Sequence, residues 1–380
     1  MRKLAFVFGV NIRRNTEEHN SKLSLCYQIS VALLHTIFVV ISIITFIKKD
    51  IFTHESLIGK LSRKLTDVLA FTLWCVLASK QKKLSNLFND IHKLSINLKA
   101  NLKIITINIG VIVIIIVPII IGLVFTIDLN ETGCKLFIDY GTLEFVKIPD
   151  GHYCKALVVF VMFGCFLTYT LRMLVVVIYV IICLFLRKIL NKQSNEILKA
   201  TKSNNFATSS IGICTSYLTT YESIFDTLKE LENTMSLPVF LIQICDIFAI
   251  FNGFIWLQIY SKNYLYLKDV KRYAFGIYIV SAVCFVSFLC VSLAASSIHE
   301  ASKNYKDAQE KLLKHILAYN QDVDFKALFS LFITHQSPPF TLSAWGFFYF
   351  TKGLVLSAIG SALTYSLLMI QIDTSVILRN

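Results

Sequence analysis

The last long apolar stretch of the chain, residues 353–372, reads GLVLSAIGSALTYSLLMIQI. It carries no charged residue, and a helix needs about twenty apolar residues to cross a bilayer core. Thr364 and Gln371 are seven residues apart, so they share one face of such a helix. Polar groups on one face are typical of a helix that lines a wet path or packs against copies of itself, or of side chains that simply reach the interface. The stretch therefore predicts a membrane-spanning helix, and its polar face leaves both interpretations open.

The composition extends this interpretation to the whole chain. Of its 380 residues, 55% are hydrophobic and 16% are charged, with 30 Phe and 16 Tyr, a balance outside the range of soluble proteins. The formal net charge of +13 could indicate nucleic-acid binding, but the basic residues lie in short segments between apolar runs, as membrane topology requires. The first twenty residues lack an apolar core and a cleavage site, so we expect no cleavable signal peptide. We predict an all-α polytopic membrane protein that binds no nucleic acid.

Seven membrane spans are predicted from the apolar runs. Six are evident, and the one at residues 57–79 is weaker because Arg63, Lys64 and Asp67 interrupt its first half. The spans cover residues 25–47, 57–79, 104–127, 156–186, 237–260, 273–298 and 353–374.

The distribution of Lys and Arg predicts the orientation of these spans. The segments that share the N-terminal side carry 22 of them and the opposite segments carry 13. Cytoplasmic segments hold the excess of basic residues, so we predict a cytoplasmic N-terminus and an extracellular C-terminus. Asn130, in the chain's glycosylation sequon, then lies outside, together with Cys134 and Cys154 in the same polar segment. We expect glycosylation at Asn130 and, at the two cysteines, either a disulfide or a pair of free thiols.

Three of the segments predicted to be cytoplasmic repeat apolar residues at helical spacing. They predict helices that continue the spans and pack together as an anchor domain, or helices that lie flat on the inner leaflet. Acidic residues such as Glu230 and Glu232 favour packing, because an acidic helix gains nothing from anionic lipids. Residues 191–210 are polar and predict a flexible connector. The repeats are Leu84, Leu87, Phe88, Ile91, Leu94 and Leu98, then Ile224, Leu228, Leu231 and Met235, then Leu313, Ile316 and Leu317.

Two charged residues lie inside predicted spans, Arg172 in the fourth and Asp246 in the fifth. At 1.5 Å per helical residue, both fall in the inner half of the membrane. Buried ions are normally paired or lined by water, which predicts a salt bridge between the two. The alternative is that Arg172 extends to the cytoplasmic boundary, because the fourth span is long enough to run past the membrane.

Polar and aromatic residues in the outer halves of the spans predict a ligand pocket. Aromatic walls with a few hydrogen-bonding groups suit a small, partly polar ligand. The alternative is that these residues serve packing or the membrane interface. The six candidates are Phe163, Thr168, Tyr169, Asn252, Trp256 and Tyr278.

Nothing in the sequence indicates catalysis, a metal centre or a cofactor. The eight His show no HxxxH or HExxH spacing, the ten Cys form no CxxC pair, and neither a glycine-rich phosphate loop nor a GxSxG motif is present. Pro118 and Pro238 do not occupy corresponding places in two halves, so the inverted repeat of a secondary transporter is not visible. We expect no enzyme.

The closing segment resembles the seventh-helix signature of insect gustatory receptors, which is Thr-Tyr, five hydrophobic residues, Gln and Phe. Thr364, Tyr365 and Gln371 match it, whereas Ser366 stands at the first hydrophobic position and Ile372 replaces Phe. The seven spans, the reversed orientation, the length and the large segment at 299–352 also resemble this family. The resemblance therefore covers the whole chain.

The resemblance implies a tastant-gated, non-selective cation channel in the plasma membrane of insect chemosensory neurons. Four subunits, of this chain alone or with other gustatory receptor subunits, would surround a pore for monovalent and divalent cations within the membrane lipids. Tyr365 would pack the signature helix, and Ser366 departs from the Glu that many sugar receptors carry, which implies a bitter or other non-sugar tastant. The pore and gate residues would be Thr364, Leu367, Leu368, Gln371 and Ile372.

Three parts of the chain are predicted on this basis. Residues 1–300 form a six-helix ligand-sensing region with cytoplasmic extensions, 301–352 form a cytoplasmic anchor segment, and 353–380 form the pore-lining seventh helix and a short extracellular tail. The alternatives are a membrane transporter and a G-protein-coupled-type receptor, and the reversed orientation disfavours the latter.

Overall fold

The structure is a computed structural model that describes residues 21–47, 57–98, 104–126, 130–142, 148–201, 210–261, 268–319, 338–358, 360, 361 and 364. This part of the chain is almost entirely helical. The helices are α1 (Ser21–Ile47), α2 (Leu57–Ser79), α3 (Gln81–Asn97), α4 (Ile104–Thr126), α5 (Glu131–Thr142), α6 (Tyr153–Cys165), α7 (Leu171–Thr201), α8 (Ser210–Ser261) and α9 (Lys268–Tyr319). A two-stranded antiparallel sheet, β1 (Ser343–Ala344) and β2 (Phe348–Tyr349), follows, and residues 352–358 are again helical.

Six of the predicted spans correspond to apolar helices of the structure. Within the described residues, four helical stretches are long and apolar enough to cross a bilayer, and two shorter apolar stretches lie in α1 and α2. The seventh predicted span lies mostly outside the described residues. The four long stretches are Asn108–Thr126, Tyr153–Thr201, Thr219–Phe254 and Phe275–His315, and the shorter ones are Tyr27–Ile41 and Leu65–Ser79.

Helix α4 shows the division of faces that a lipid-facing helix requires. Ile114 and Ile121, two turns apart, are fully buried against the bundle. Most of its remaining surface consists of outward-facing isoleucines. Exposure of these side chains to water would be unfavourable, whereas a bilayer accommodates them. The exposed residues are Ile109, Ile112, Ile115, Ile116, Ile119, Ile120 and Leu123.

Beyond the spans, the helices continue and pack into what we call the anchor layer, formed by α3 and by residues 187–201, 210–236 and 299–319 of α7, α8 and α9. Apolar residues at helical spacing meet there in the main core, and Tyr221 stacks on Tyr305 with ring centroids 5.0 Å apart. The predicted packing of helix extensions is therefore confirmed. The buried members include Leu84, Leu87, Leu94, Ile189, Leu190, Ile197, Ile224, Leu228, Leu231, Met235, Ala301, Ala308 and Leu312.

Lys80 connects the junction of α2 and α3 to this layer. Its Nζ donates to the carbonyl oxygens of Asn233 and Thr234, at 2.9 and 3.3 Å, across the surface of α8. Partial burial, with the nearby charge of Lys83, lowers the pKa of Lys80 below its ordinary value. The contact supports the close packing of α3 on α8.

The prediction of a flexible connector at residues 191–210 was wrong for its first half. Helix α7 continues to Thr201, and Gln193, Ser194 and Ile197 are buried in the anchor layer. The hydroxyl of Ser194 donates to the carbonyl oxygen of Asn304 at 3.1 Å. Contacts with α9 thus stabilise the helix in a segment whose own composition is polar.

Candidate functional site

A buried ion pair lies where α7, α8 and α9 meet. Arg172 on the first turn of α7 is 3% exposed and Asp246 on α8 is 0% exposed. Nη2 of Arg172 donates to Oδ1 of Asp246, and also to Sγ of Cys284 on α9 at 2.8 Å. The structure thus places the guanidinium against Asp246 and does not extend it toward the membrane boundary.

Burial determines the electrostatics of this pair. Each ion would be costly in an apolar medium on its own, and the short contact allows the two charges to offset one another. The thiol of Cys284 brings α9 into the same cluster, through its 2.8 Å contact with the guanidinium. Three helices therefore converge on one buried polar cluster inside the membrane-spanning part of the fold.

A turn of π-helix, Phe166–Thr170, joins α6 to α7 and ends two residues before Arg172. Such turns interrupt the regular helix and are frequent at functional sites. The hydroxyl of Thr168 donates to the carbonyl oxygen of Gly164 at 2.5 Å, a local bond that bends helices. Thr168 is buried. Tyr169 precedes Arg172 by three residues, about one helical turn. Two of the three predicted pocket residues of the fourth span, Thr168 and Tyr169, therefore lie at an irregular turn.

A small apolar core lies beyond the ion pair, toward the predicted outer half of the membrane. It is assembled from α4, α6, α8 and α9, and Tyr169 and Phe125 pack against it. This core is the environment that a partly apolar ligand would share. Its buried members are Ile121, Cys165, Ala249, Val280 and Cys284.

Asn252 adds an unused hydrogen-bonding group to this region. It lies one turn beyond Ala249 on α8 and is 9% exposed, and its Oδ1 has no hydrogen-bond donor among the described residues. At the adjacent Gly253 the two helices α8 and α9 approach closely, because a Cβ there would lie 2.7 Å from the Cβ of Ser281. Tyr278 is one turn from Ser281 on the same side of α9. The structure therefore brings Tyr169, Asn252 and Tyr278 onto helices that surround one small core.

The other pocket candidates are placed differently. Phe163 is 41% exposed on α6 and faces away from the core. The side chain of Trp256 lies outside the described residues. Two grooves of about 640 and 860 Å³ lie in the anchor layer, along α7 and between α3 and α8, and neither is lined by a pocket candidate.

Most pore candidates lie outside the described part of the chain. Thr364 is described, is exposed, and donates its hydroxyl to the carbonyl oxygen of Gly360 at 2.9 Å, the helical spacing of four residues. Thr364 therefore has helical geometry, as residues 352–358 do. The candidates outside the described residues are Tyr365, Leu367, Leu368, Gln371 and Ile372.

The predicted outer loop contains the helix α5, which the sequence analysis did not predict. Cys134 on α5 forms a disulfide with Cys154 on α6, with Cα atoms 4.9 Å apart. Asn130 lies just before α5, is exposed, and accepts the backbone N–H of Gly133 at 2.7 Å. Glu131 accepts the backbone N–H of Tyr153 at 2.9 Å. The disulfide and this hydrogen bond join the start of α5 to the start of α6.

A carboxylate that the sequence analysis used only as a sign of packing turns out to hold the hairpin. Glu232 on α8 accepts the backbone N–H of Ser343 at 3.0 Å and also its hydroxyl. The same hydroxyl oxygen accepts the N–H of Gly346 at 3.1 Å. Glu232 and Ser343 are 111 residues apart, so no local pattern in the sequence reveals this contact.

Comparisons with known proteins agree with this architecture. A family model described as 7tm Chemosensory receptor matches residues 3–375. The structure of the insect olfactory receptor OR5 from Machilis hrabei is similar to this chain with a TM-score of 0.69 and 14% identity, covering 97% of this chain and 96% of that one. The structure of the same receptor in complex with eugenol is similar with a TM-score of 0.66 and 15% identity, covering 97% of each chain. A search of the curated proteins finds no match.

At these identities the solved structures show a shared fold, and the family model carries the assignment because it spans nearly the whole chain. The predictions of an all-α multi-pass membrane fold and of this kinship are therefore confirmed. The chain belongs to the 7tm chemosensory receptor family.

Proposed function

We propose that this chain is a gustatory receptor, a tastant-gated, non-selective cation channel that responds to a bitter or other non-sugar compound. The observation that carries the proposal is the buried Oδ1 of Asn252, which lies beside a small apolar core and accepts no hydrogen bond from any described residue. A ligand that supplies one hydroxyl or N–H group from an apolar body would satisfy it. In this proposal Tyr169 and Tyr278 flank the same ligand.

The related receptor supports the size and chemistry of such a ligand. That receptor was solved with eugenol, a small phenol, and it shares this fold over 97% of the chain. A phenol combines an apolar ring with one donor, which is the combination that the surroundings of Asn252 require.

The pore belongs to the seventh helix in this proposal. Thr364 and Gln371 lie on one helical face, so four copies around an axis would present polar groups to ions and apolar residues to a gate. The channel would be a homotetramer, or would include other gustatory receptor subunits, and would pass monovalent and divalent cations across the plasma membrane. Its N-terminus and anchor layer would be cytoplasmic, and α5 and the glycosylated Asn130 would be extracellular.

The test is whole-cell current recording from cells that express the chain, with a panel of bitter compounds, other non-sugars and sugars. We expect cation currents to a non-sugar compound, and an increase of about tenfold in its half-maximal concentration for Asn252→Leu, the effect of one hydrogen bond. Asn195→Leu, at an exposed asparagine of α7, is the matched control and should respond as the original chain does.

Gln371→Ala separates the pore from the pocket. It should alter ion selectivity or gating while the ligand concentration dependence changes little. Saturable flux without unitary currents would indicate a transporter, and responses that require a G protein would indicate a metabotropic receptor. Either result would overturn the proposed channel.

A further inference from the structure

The hairpin between the anchor layer and the seventh helix has an unusual turn. The N–H of Phe347 donates to the carbonyl oxygen of Ala344 at 3.0 Å, so Trp345 and Gly346 are the central residues of a β-turn. Their φ angles are +51° and +76°, and both are therefore left-handed. Turns of this kind favour Asn, Asp or Gly at the first position, and a bulky residue there is strained. Residues other than glycine that are held in this conformation cluster at functional sites. Trp345 is such a residue, and it presents a large aromatic side chain.

Trp345, Phe347 and Tyr349 are exposed aromatic side chains of the hairpin, and Phe240 of α8 is a partly buried ring that contacts the first two. We call these four residues the aromatic platform. Trp345, Phe347 and Tyr349 are 54%, 69% and 58% exposed. The ring of Phe347 stacks on Phe240 of α8 with centroids 4.7 Å apart, and Trp345 lies 5.6 Å from the same ring. The platform is therefore a preformed surface and not a set of isolated side chains.

The hairpin itself is held firmly from behind. Leu342, Ala344 and Phe350 are fully buried in the main core, and Glu232 binds the backbone and hydroxyl of Ser343. Just after the hairpin, Lys352 forms a 3.0 Å ion pair with Glu300 of α9. The hairpin that carries the platform is therefore fixed to α8 and to the main core.

The depth of the platform follows from its neighbours. Phe240 is the fourth residue of the span predicted at 237–260, and Ile247 and Phe251 continue its helical face as exposed residues of the same helix. Residue 352 starts the last helix, immediately before the span predicted at 353–374. The platform thus lies where two spans enter the membrane, and it is continuous with their outward-facing apolar surface. Trp and Tyr are enriched at that depth because each combines an apolar ring with one polar group.

We propose that the aromatic platform inserts into the headgroup boundary of the bilayer and fixes the depth at which the seventh helix enters the membrane. The assignment of this boundary to the cytoplasmic leaflet depends on the predicted orientation of the spans. The contact with lipid does not depend on that orientation. Because Glu232 binds the hairpin to α8, and Oγ of Ser302 on α9 accepts the N–H of Phe340 just before it, the contact sets the height of the seventh helix relative to both helices.

Tryptophan fluorescence gives a direct test, because the chain has three Trp. The variant Trp74→Phe/Trp256→Phe leaves Trp345 as the sole tryptophan, and it is reconstituted into phosphatidylcholine vesicles whose acyl chains are brominated near the headgroup or near the chain end. We expect blue-shifted emission, and a greater loss of intensity with the shallow bromines than with the deep ones. The control replaces all three Trp by Phe and adds Lys314→Trp, in the anchor layer, where neither lipid should quench.

Each other result would overturn the proposal. Blue-shifted emission that neither lipid quenches would mean that a second copy of the chain covers the platform. Red-shifted emission without quenching would mean that Trp345 faces water. Quenching mainly by the deep bromines would place it in the bilayer core and not at the boundary.

A second measurement needs no substitution and guards against misfolded variants. The original chain is reconstituted with a phosphatidylcholine that carries a photoreactive group near its headgroup, illuminated and digested. We expect labelled peptides that contain residues 343–352. Labelling of α4 peptides without any labelling of this segment would contradict a lipid contact at the platform.

Discussion

At the scale of single residues, burial decides what a charged or polar group does in this protein. Arg172 and Lys93 both form ion pairs, with Asp246 and Asp90. Lys93 is 74% exposed, so water already solvates its charge and the pair contributes little. Arg172 is buried away from water, so its charge depends on Asp246 for compensation.

Arg172→Met should destabilise the protein by about 3–5 kcal/mol, because it leaves a buried carboxylate without its partner. Lys93→Met is the matched control and should cost less than about 1 kcal/mol. The measurement is thermal unfolding of the detergent-solubilised protein, together with surface expression.

The exchanged pair, Arg172→Asp/Asp246→Arg, tests whether the interaction itself matters. It should recover surface expression that either single substitution loses. An exchanged pair no better than the single variants would show that the residues act independently.

At the scale of elements, the hairpin of β1 and β2 is too short to be stable by itself, and two contacts with longer helices hold it. Its buried side chains enter the main core, and Glu232 receives the N–H and hydroxyl of Ser343. Two isolated strands of two residues would not persist in water. The element therefore exists because α8 supports it.

Glu232→Ala should free the hairpin, since it leaves the buried N–H of Ser343 without an acceptor at a cost of about 1–3 kcal/mol. The backbone amides of residues 342–350 should then exchange their hydrogens about tenfold faster or more, because 1.4 kcal/mol corresponds to a tenfold change in an equilibrium constant. Glu222→Ala, at an exposed carboxylate of the same helix, is the control and should leave that exchange unchanged.

If Glu232→Ala left the exchange of residues 342–350 at its original rate, the apolar contacts of Leu342 and Phe350 alone would account for the hairpin. The carboxylate would then have no part in holding the start of the seventh helix.

At the scale of the whole molecule, the distribution of basic residues and the disulfide that joins α5 to α6 lead to one prediction about orientation. A tag at the N-terminus should be accessible to antibody only after permeabilisation of the cells. Asn130 should carry a glycan, visible as a loss of apparent mass on deglycosylation and absent in Asn130→Gln. Thr364→Val, which keeps the sequon intact, is the control and should retain the glycan.

An N-terminal tag that is accessible on intact cells would reverse the topology. The anchor layer would then be extracellular, and the proposal of a cytoplasmic leaflet for the aromatic platform would fail with it. The lipid contact of the platform would remain a separate question, because the quenching measurement does not depend on sidedness.

Local sequence patterns were sufficient for the features that depend on local physics. Apolar runs located six helical spans now described, because hydropathy over about twenty residues reports transfer into a bilayer. Periodic leucines such as Leu84 and Leu228 identified the faces that pack in the anchor layer. The Thr364, Tyr365 and Gln371 motif pointed to the family.

Features that depend on contacts between distant residues could not be found in this way. Residues 191–201 read as a connector, yet contacts with α9 keep them helical. Phe163 and Tyr169 were equivalent pocket candidates in the sequence. Only the tertiary structure shows that Phe163 on α6 is exposed and that Tyr169, in the π-helical turn after it, packs against the small apolar core.

The sequence by itself therefore determined a multi-pass helical chemosensory receptor, because span length, charge distribution and a short motif are all local properties. Only the tertiary structure decided that Arg172 meets Asp246, that Asn252 keeps an unused acceptor, and that Glu232 holds the hairpin before the seventh helix. The physical reason is that the free energy of a buried polar group depends on which partners the fold brings within hydrogen-bonding distance.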